Sequence, residues 1–182
     1  VAHMKIIFSD DVSNVAENRK KLESNLDVKI TIKEKEISID GSPENEFIAE
    51  KVIEAVDFGF SVSTALLIKG EDFIFEVLNI KNYTHRKDLE RIRARIIGTG
   101  GKTFKTLKEL TDCNFALKDN EVGIIGSPEL IKNAGDAVVA IIHGSKQANV
   151  YSFLEKHHVP PILDLGLREP KKRRKKERIS FK

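Results

Sequence analysis

The sequence is poor in the features that define several large protein classes. It holds one cysteine, Cys113, so no internal disulfide can form and a reducing compartment is expected. It has no long apolar run. Stretches such as Ala65-Leu66-Leu67-Ile68 and Val138-Val139-Ala140-Ile141-Ile142 fall far short of the roughly 20 residues that cross a bilayer, so a soluble chain with no membrane partner is expected. No basic segment followed by an apolar stretch and a small-residue cleavage site is present, and export is not expected. The five histidines show no metal-ligand spacing, and His157-His158 reads as the cationic end of a helix. Acidic residues are plentiful but form no recognisable catalytic cluster. The expectation is therefore a non-enzyme with no catalytic residue, no metal and no cofactor.

The chain does have the means to fold. Its 182 residues are 40% hydrophobic and 32% charged, enough for one large domain or two small ones and too apolar for disorder throughout. The net charge of +3 hides an asymmetry. Residues 171–182 carry eight Lys/Arg against one Glu, a net of +7, which leaves −4 for residues 1–170. Within that acidic body, His85–Glu109 has eight basic and three acidic residues, a local +5. Two cationic sites on an acidic background point to a focused anionic partner.

The chain also repeats itself. Shifting it by 85 residues aligns Leu22–Gly59 with Leu107–Gly144 without a gap, with 12 identities in 38 positions. Gly41-Ser42-Pro43-Glu44 falls on Gly126-Ser127-Pro128-Glu129. Each copy alternates apolar residues with a period of two: Val28, Ile30 and Ile32, then Ile37 and Ile39, in the first; Cys113, Phe115 and Leu117, then Val122 and Ile124, in the second. That pattern predicts a hairpin in each copy. Ser42 and Ser127 stand at helix caps with proline in the first turn. The helices that follow carry apolar stripes at three and four: Ile48, Val52, Ile53 and Val56, or Ala134, Ala137, Val138 and Ile141.

Upstream of the second hairpin, Phe73–Ile80 reads as a strand and Arg86–Ile97 as a helix, with Leu89, Ile92 and Ile96 on one side. The unit is strand, helix, glycine loop, helix, strand, strand, helix. The first copy starts with a strand at Lys5–Ser9 and compresses its first helix into about Asp11–Ala16. The predicted class is α+β: two tandem KH type I-like domains (βααββα), each a three-stranded sheet with helices on one face. The expected boundaries are a degenerate domain at 4–60, a connecting helix at 61–70, a complete domain at 71–145, a C-terminal helix at 146–158 and a basic, disordered tail at 159–182.

Gly98-Thr99-Gly100-Gly101, followed by Lys102, lies between two helical patterns. Glycine lets the backbone lie against a sugar-phosphate chain, and the start of the next helix favours phosphate oxygens. Lys102, Arg95 and Lys105 add charge, and Arg91 and Arg93 flank the loop. In a KH domain a GxxG loop clamps about four unpaired nucleotides. Ile96 stands where a P-loop needs its first glycine, and Thr103 where a dinucleotide fingerprint needs its last, so neither motif applies. In the first copy the corresponding residues are Ser13-Asn14-Val15-Ala16, without glycine, and that copy is expected to contact protein rather than clamp RNA.

A GxxG-less repeat followed by a repeat with GxxG, and the string Arg93-Ala94-Arg95-Ile96-Ile97-Gly98-Thr99-Gly100-Gly101-Lys102-Thr103, resemble a known family. Ile125-Gly126-Ser127, Ile142-His143-Gly144-Ser145 and Val150-Tyr151 add to the likeness, which spans about 4–160. The family is the KH-domain small-subunit ribosome assembly factor of archaea and eukaryotes, the partner of the Nob endonuclease. The resemblance implies binding of single-stranded RNA, the 3′ region of 16S-type rRNA, and its presentation for final cleavage by a Nob-type endonuclease. It gives Gly98, Thr99, Gly100, Gly101 and Lys102 the backbone clamp, and Arg91, Arg93 and Arg95 a supporting role. A translation initiation factor is a further implied partner. The chain is expected to be monomeric and of the compact archaeal form: cytoplasmic in an archaeon, nucleolar or nuclear in a eukaryote. A general KH protein of mRNA or the exosome is the alternative reading. Lys171–Arg178 is expected to reach rRNA as a basic arm.

Overall fold

A computed structural model of the chain describes residues 4–9, 12–70 and 72–157. The basic tail expected at 159–182 lies outside the described residues. The first half runs β1 (Met4–Phe8), α1 (Ser13–Glu17), α2 (Arg19–Leu26), β2 (Lys29–Lys33), β3 (Glu36–Asp40) and α3 (Pro43–Phe58). A short α4 (Val62–Ala65) and a 3-10 turn (Leu66–Lys69) lead into the second half. It comprises β4 (Ile74–Asn79), α5 (Leu89–Ile97), α6 (Lys102–Thr111), β5 (Asn114–Lys118), β6 (Glu121–Gly126) and α7 (Pro128–Ile142), with α8 (Gln147–His157) added at its end. The fold is α+β and KH-like, with two three-stranded antiparallel sheets ordered β1-β3-β2 and β4-β6-β5.

The repeat is written into the backbone. Asp27 and Asp112, each at φ 53°, close α2 and α6 in the left-handed region. Glu34 and Asp119, at φ 53° and 51°, turn the two hairpins, and Gly59 and Gly144 are left-handed after α3 and α7. All three pairs are 85 residues apart. The first strands are not: Met4 opposes Asp40 and Phe75 opposes Ile125, a separation of 71. The second half thus has 14 more residues between its first strand and its second helix, and these supply the longer α5 and the glycine loop.

Three local expectations need correction. Ser13–Ala16 does not correspond to the glycine loop: these residues form most of α1, close to the compressed first helix expected at about Asp11–Ala16, and Val15 is fully buried in the first core. The break between helices falls at Asn18 instead. The helix expected from Arg86 starts only at Leu89. Ser42 caps α3, its hydroxyl accepting from the Asn45 N–H at 3.2 Å, while the Ser127 hydroxyl makes no cap bond to α7. The first-half cap has a second support that the second half lacks: the buried Glu46 carboxylate accepts from the Gly41 N–H at 3.1 Å, and Ile131 stands at the equivalent position.

The description "helices on one face" holds for only one sheet. Val122 and Ile124 of β6 face α5, α6 and α7 in one buried cluster, whereas Ile125 joins the cluster of the first half, with Phe75 and Ala116 packed beside it. Phe58 and Phe60, from the end of α3, cover this second face. Their rings meet Phe75 edge-on, at 5.6 and 5.8 Å between centroids. Gly123 makes room for them, because a Cβ there would come within 2.7 Å of Phe58 and 2.9 Å of Phe60. The Lys118 ammonium adds an ionic tie, donating to the Asp57 carboxylate at 3.1 Å and to its carbonyl at 2.9 Å, while the buried Ser9 hydroxyl donates to the same carboxylate. The second sheet is therefore locked between its own helices and the first half.

Candidate nucleic-acid interface

Helix α5 forms because Ile92 and Ile96 recur four apart on its buried side, with Leu89 half-buried below them and arginines elsewhere. It stops because Gly98 takes φ 77°, ψ 168°, outside the helical region. The chain then turns through Thr99–Gly101, with the Gly101 N–H donating to the Gly98 carbonyl at 3.1 Å, and re-enters a helix at Lys102.

The three loop glycines serve different ends. A Cβ on Gly98 would overlap the Thr103 hydroxyl and lie 2.7 Å from the Thr103 amide nitrogen, so here the loop and the start of α6 are in contact. Gly100 and Gly101 also have positive φ, 60° and 74°, yet a Cβ on either meets nothing within 4 Å. Their outer side is open, so another chain can approach the backbone there without striking protein. The N-cap of α6 is Gly101, which offers no capping oxygen to the first-turn amides. Lys102 is exposed at that helix start, and Lys105, one turn on, is exposed with a long 4.0 Å contact to Glu109. An exposed pair of this kind contributes little, which leaves the Lys105 charge available. This end of the molecule thus combines open backbone, a helix N-terminus and two lysines, a combination suited to an anionic, extended ligand.

The arginines are placed differently from one another. Arg91 is exposed, beside a shallow groove with Lys87 and Glu90 at the start of α5. Arg93 is half-buried and donates to the Asp119 carbonyl of the β5–β6 turn at 3.1 Å. Arg95 donates to the Ser145 carbonyl at 2.7 Å, tying α5 to the link between α7 and α8. The structure therefore groups Lys102 and Lys105 with the loop, whereas Arg93 and Arg95 each hold a backbone carbonyl. Beside α6 runs β5, an edge strand half-buried along its length, where Phe115 stacks on Phe104 at 6.0 Å.

Two residues of the site escaped the sequence reading. Thr103 is buried against Gly98, and Gln147 of α8 donates to the Thr103 hydroxyl at 2.8 Å. Nothing in the periodicity or charge marks either one. Cys113 is fully buried against Gly126, and burial pushes its thiol up to about 11, the nearby Asp112 adding to the shift and the Thr111 hydroxyl opposing it. A thiol kept neutral and covered is core, not a nucleophile. Among the described residues no group of three His, Cys, Asp or Glu is placed to hold a metal ion, and no helix is long and apolar enough to cross a membrane.

Sheet order, glycine loop and helix packing define a KH-domain protein, and residues 74–159 match the family model for a eukaryotic-type KH domain (KH-domain type I), the second KH domain of PNO1. In this segment and in its solved neighbours the chain is similar to the PNO1/Dim2 family of KH-domain proteins. It is 30% identical over 109 residues to a KH domain-containing protein of Methanocaldococcus jannaschii, covering 59% of this chain and 48% of that one. It is 30% identical over 137 residues to the RNA-binding protein pno1 of Drosophila pseudoobscura pseudoobscura, covering 71% and 58%. The pre-rRNA-processing protein pno1 of Aspergillus oryzae is 32% identical over 111 residues, covering 59% and 43%. The chain spans about half the length of the curated relatives it matches. The crystal structure of Dim2p from Pyrococcus horikoshii superposes with a TM-score of 0.78 at 26% identity, covering 85% of this chain and 99% of that one. A chain of the a/eIF2alpha–aDim2p–rRNA complex from the same organism gives 0.78 at 25%, covering 86% and 94%.

Proposed function

We propose that this chain is a non-catalytic ribosome assembly factor: two tandem type I KH domains, at 4–60 and 71–145, of which the second grips the single-stranded 3′ region of small-subunit rRNA. The observation that carries this reading is the outer side of Gly100 and Gly101, open for 4 Å beyond a positive-φ backbone at the start of α6. A sugar-phosphate chain can lie against such a surface, with Lys102 and Lys105 facing its charge. Bases would then reach the side of α6 and β5, where Phe104 and Phe115 lie. The names borne by the relatives, RNA-binding and pre-rRNA-processing, support the substrate class, and the complex of aDim2p with rRNA and a/eIF2alpha supports rRNA and an initiation factor as partners. A Nob-type endonuclease is the enzyme whose cleavage this binding would assist. In an archaeal cell the place of action is the cytoplasm; in a eukaryotic one, the nucleolus or nucleus. Arg91, exposed at the start of α5 and about two turns from the loop, would add charge farther along the incoming RNA, while Arg93 and Arg95 support the clamp through the carbonyls they hold.

One experiment tests both levels of the proposal. Filter binding across a salt series compares an oligonucleotide carrying the 3′ sequence of small-subunit rRNA with a scrambled one, for the wild type and Lys102→Ala. The wild type is expected to prefer the 3′ sequence. Lys102→Ala is expected to lower the slope of log K against log salt by about 0.7, the value for one lost single-strand phosphate contact. Equal affinity for both oligonucleotides would favour a general KH protein of mRNA or the exosome. An unchanged slope would remove Lys102 from the clamp.

A further inference from the structure

The glycine loop is intrinsically loose. Gly98, Gly100 and Gly101 all sit at positive φ, and glycine loses more backbone freedom on ordering than any other residue. A loop of this kind binds tightly only if something else fixes its ends, because a ligand must otherwise supply the ordering itself. The two ends are the last turn of α5 and the first turn of α6.

One side chain holds both. Gln147, the first residue of α8, uses its single amide nitrogen twice: it donates to the Arg95 carbonyl at 3.2 Å and to the Thr103 hydroxyl at 2.8 Å. The Arg95 carbonyl lies in the last turn of α5, where carbonyls lack partners within the helix. Thr103 is 2% exposed and is the residue that Gly98 touches. The link is closed by Arg95, whose guanidinium donates back to the Ser145 carbonyl at 2.7 Å, just ahead of α8. Helix α8 is itself anchored, with Val150 and Leu154 buried in the second core.

We propose that Gln147 is a positioning residue for the RNA clamp: it sets the spacing of α5 and α6 across Gly98–Lys102 and so pre-forms the loop for a sugar-phosphate backbone. The assignment rests on the RNA-binding reading above. It gives α8 a task beyond packing, since the helix carries the brace from outside the βααββα unit. Gln147 touches no phosphate in this arrangement, because its donors point inward to protein oxygens.

Two variants remove the bond from opposite sides: Gln147→Met, which keeps length but cannot donate, and Thr103→Val, which keeps shape but cannot accept. Amide hydrogen exchange of residues 98–102 is expected to quicken by about tenfold in both. Affinity of the full chain for single-stranded RNA is expected to fall by roughly three- to tenfold, through lost pre-organisation. The salt slope should stay at the wild-type value, and melting should shift by only a few degrees. Wild-type exchange and wild-type affinity in both variants would overturn the proposal. So would a loss of affinity with wild-type exchange in Gln147→Met, which would mean that Gln147 contacts the RNA directly instead of bracing the loop. If the wild type itself fails to bind single-stranded RNA, the RNA reading falls, and the exchange rates alone then decide whether the brace exists.

Discussion

Replacing Thr99 and Gly100 together by aspartate is expected to weaken binding of single-stranded RNA by at least about thirtyfold while leaving the fold intact. Both residues are exposed, and the Gly100 Cβ position is open to 4 Å. Asp tolerates the left-handed backbone at φ 60° better than most residues, so the cost to stability is about 1 kcal/mol or less. Two carboxylates would then face phosphates a few ångströms away, each like-charge pair costing about 1 kcal/mol in a water-like dielectric and more in a partly dry groove. Filter binding and thermal melting, measured on the same preparations, separate the two effects. Undiminished affinity with a normal melting temperature would mean that RNA lies elsewhere on the molecule.

The second large effect comes from the neighbouring glycine and has the opposite character. Gly98→Val should destabilise the chain by about 3 kcal/mol, through overpacking and backbone strain combined. Its side chain has nowhere to go: the first added carbon already overlaps the Thr103 hydroxyl and lies 2.8 Å from the Thr103 Cβ, at a backbone φ of 77°. For a chain of this size that corresponds to a drop of about 10 °C in melting temperature. Gly100→Ala serves as the internal control, with a strain cost of about 1 kcal/mol and no clash. Equal melting temperatures for the two variants would refute the division of the loop into a packing glycine and an open one.

Much of this architecture was legible in the sequence, for identifiable reasons. The 85-residue repeat survives as identities because left-handed turns at Asp27 and Asp112, and at Gly59 and Gly144, accept few residue types. The hairpins and the α3 and α7 stripes follow from period-two and period-3.6 burial, which any half-buried strand or helix must show. The glycine loop stood out for the same kind of reason, since three positive-φ positions in four residues leave little choice but glycine.

What was hidden depends on contacts between distant segments. Gly123 looks like any strand glycine until Phe58 and Phe60, more than 60 residues earlier, are found to occupy the space its side chain would need. Arg93 and Arg95 read as loop charges from their spacing, yet each donates to a backbone carbonyl, at Asp119 and Ser145, which no local pattern encodes. That Ser13–Ala16 does not match the glycine loop is not legible, because identity with the second copy begins only at Leu22 and the 85-residue shift carries no information that far upstream. Val15 fills the first core there, and helix α1 replaces the loop. Gln147 lies outside the repeat, and its partners, 44 and 52 residues earlier, come close only when α8 packs on α6 and α7.

Under the proposed function, RNA is gripped at Gly98–Lys102. The most direct measurement is an NMR titration of the isotope-labelled chain with a single-stranded oligonucleotide carrying the rRNA 3′ sequence. Glycine amides resonate in a distinct region, so Gly98, Gly100 and Gly101 can be followed individually. These three and Lys102 are expected to show the largest shifts, saturating with the binding isotherm. Loop amides that stay unmoved at saturating RNA would contradict that reading.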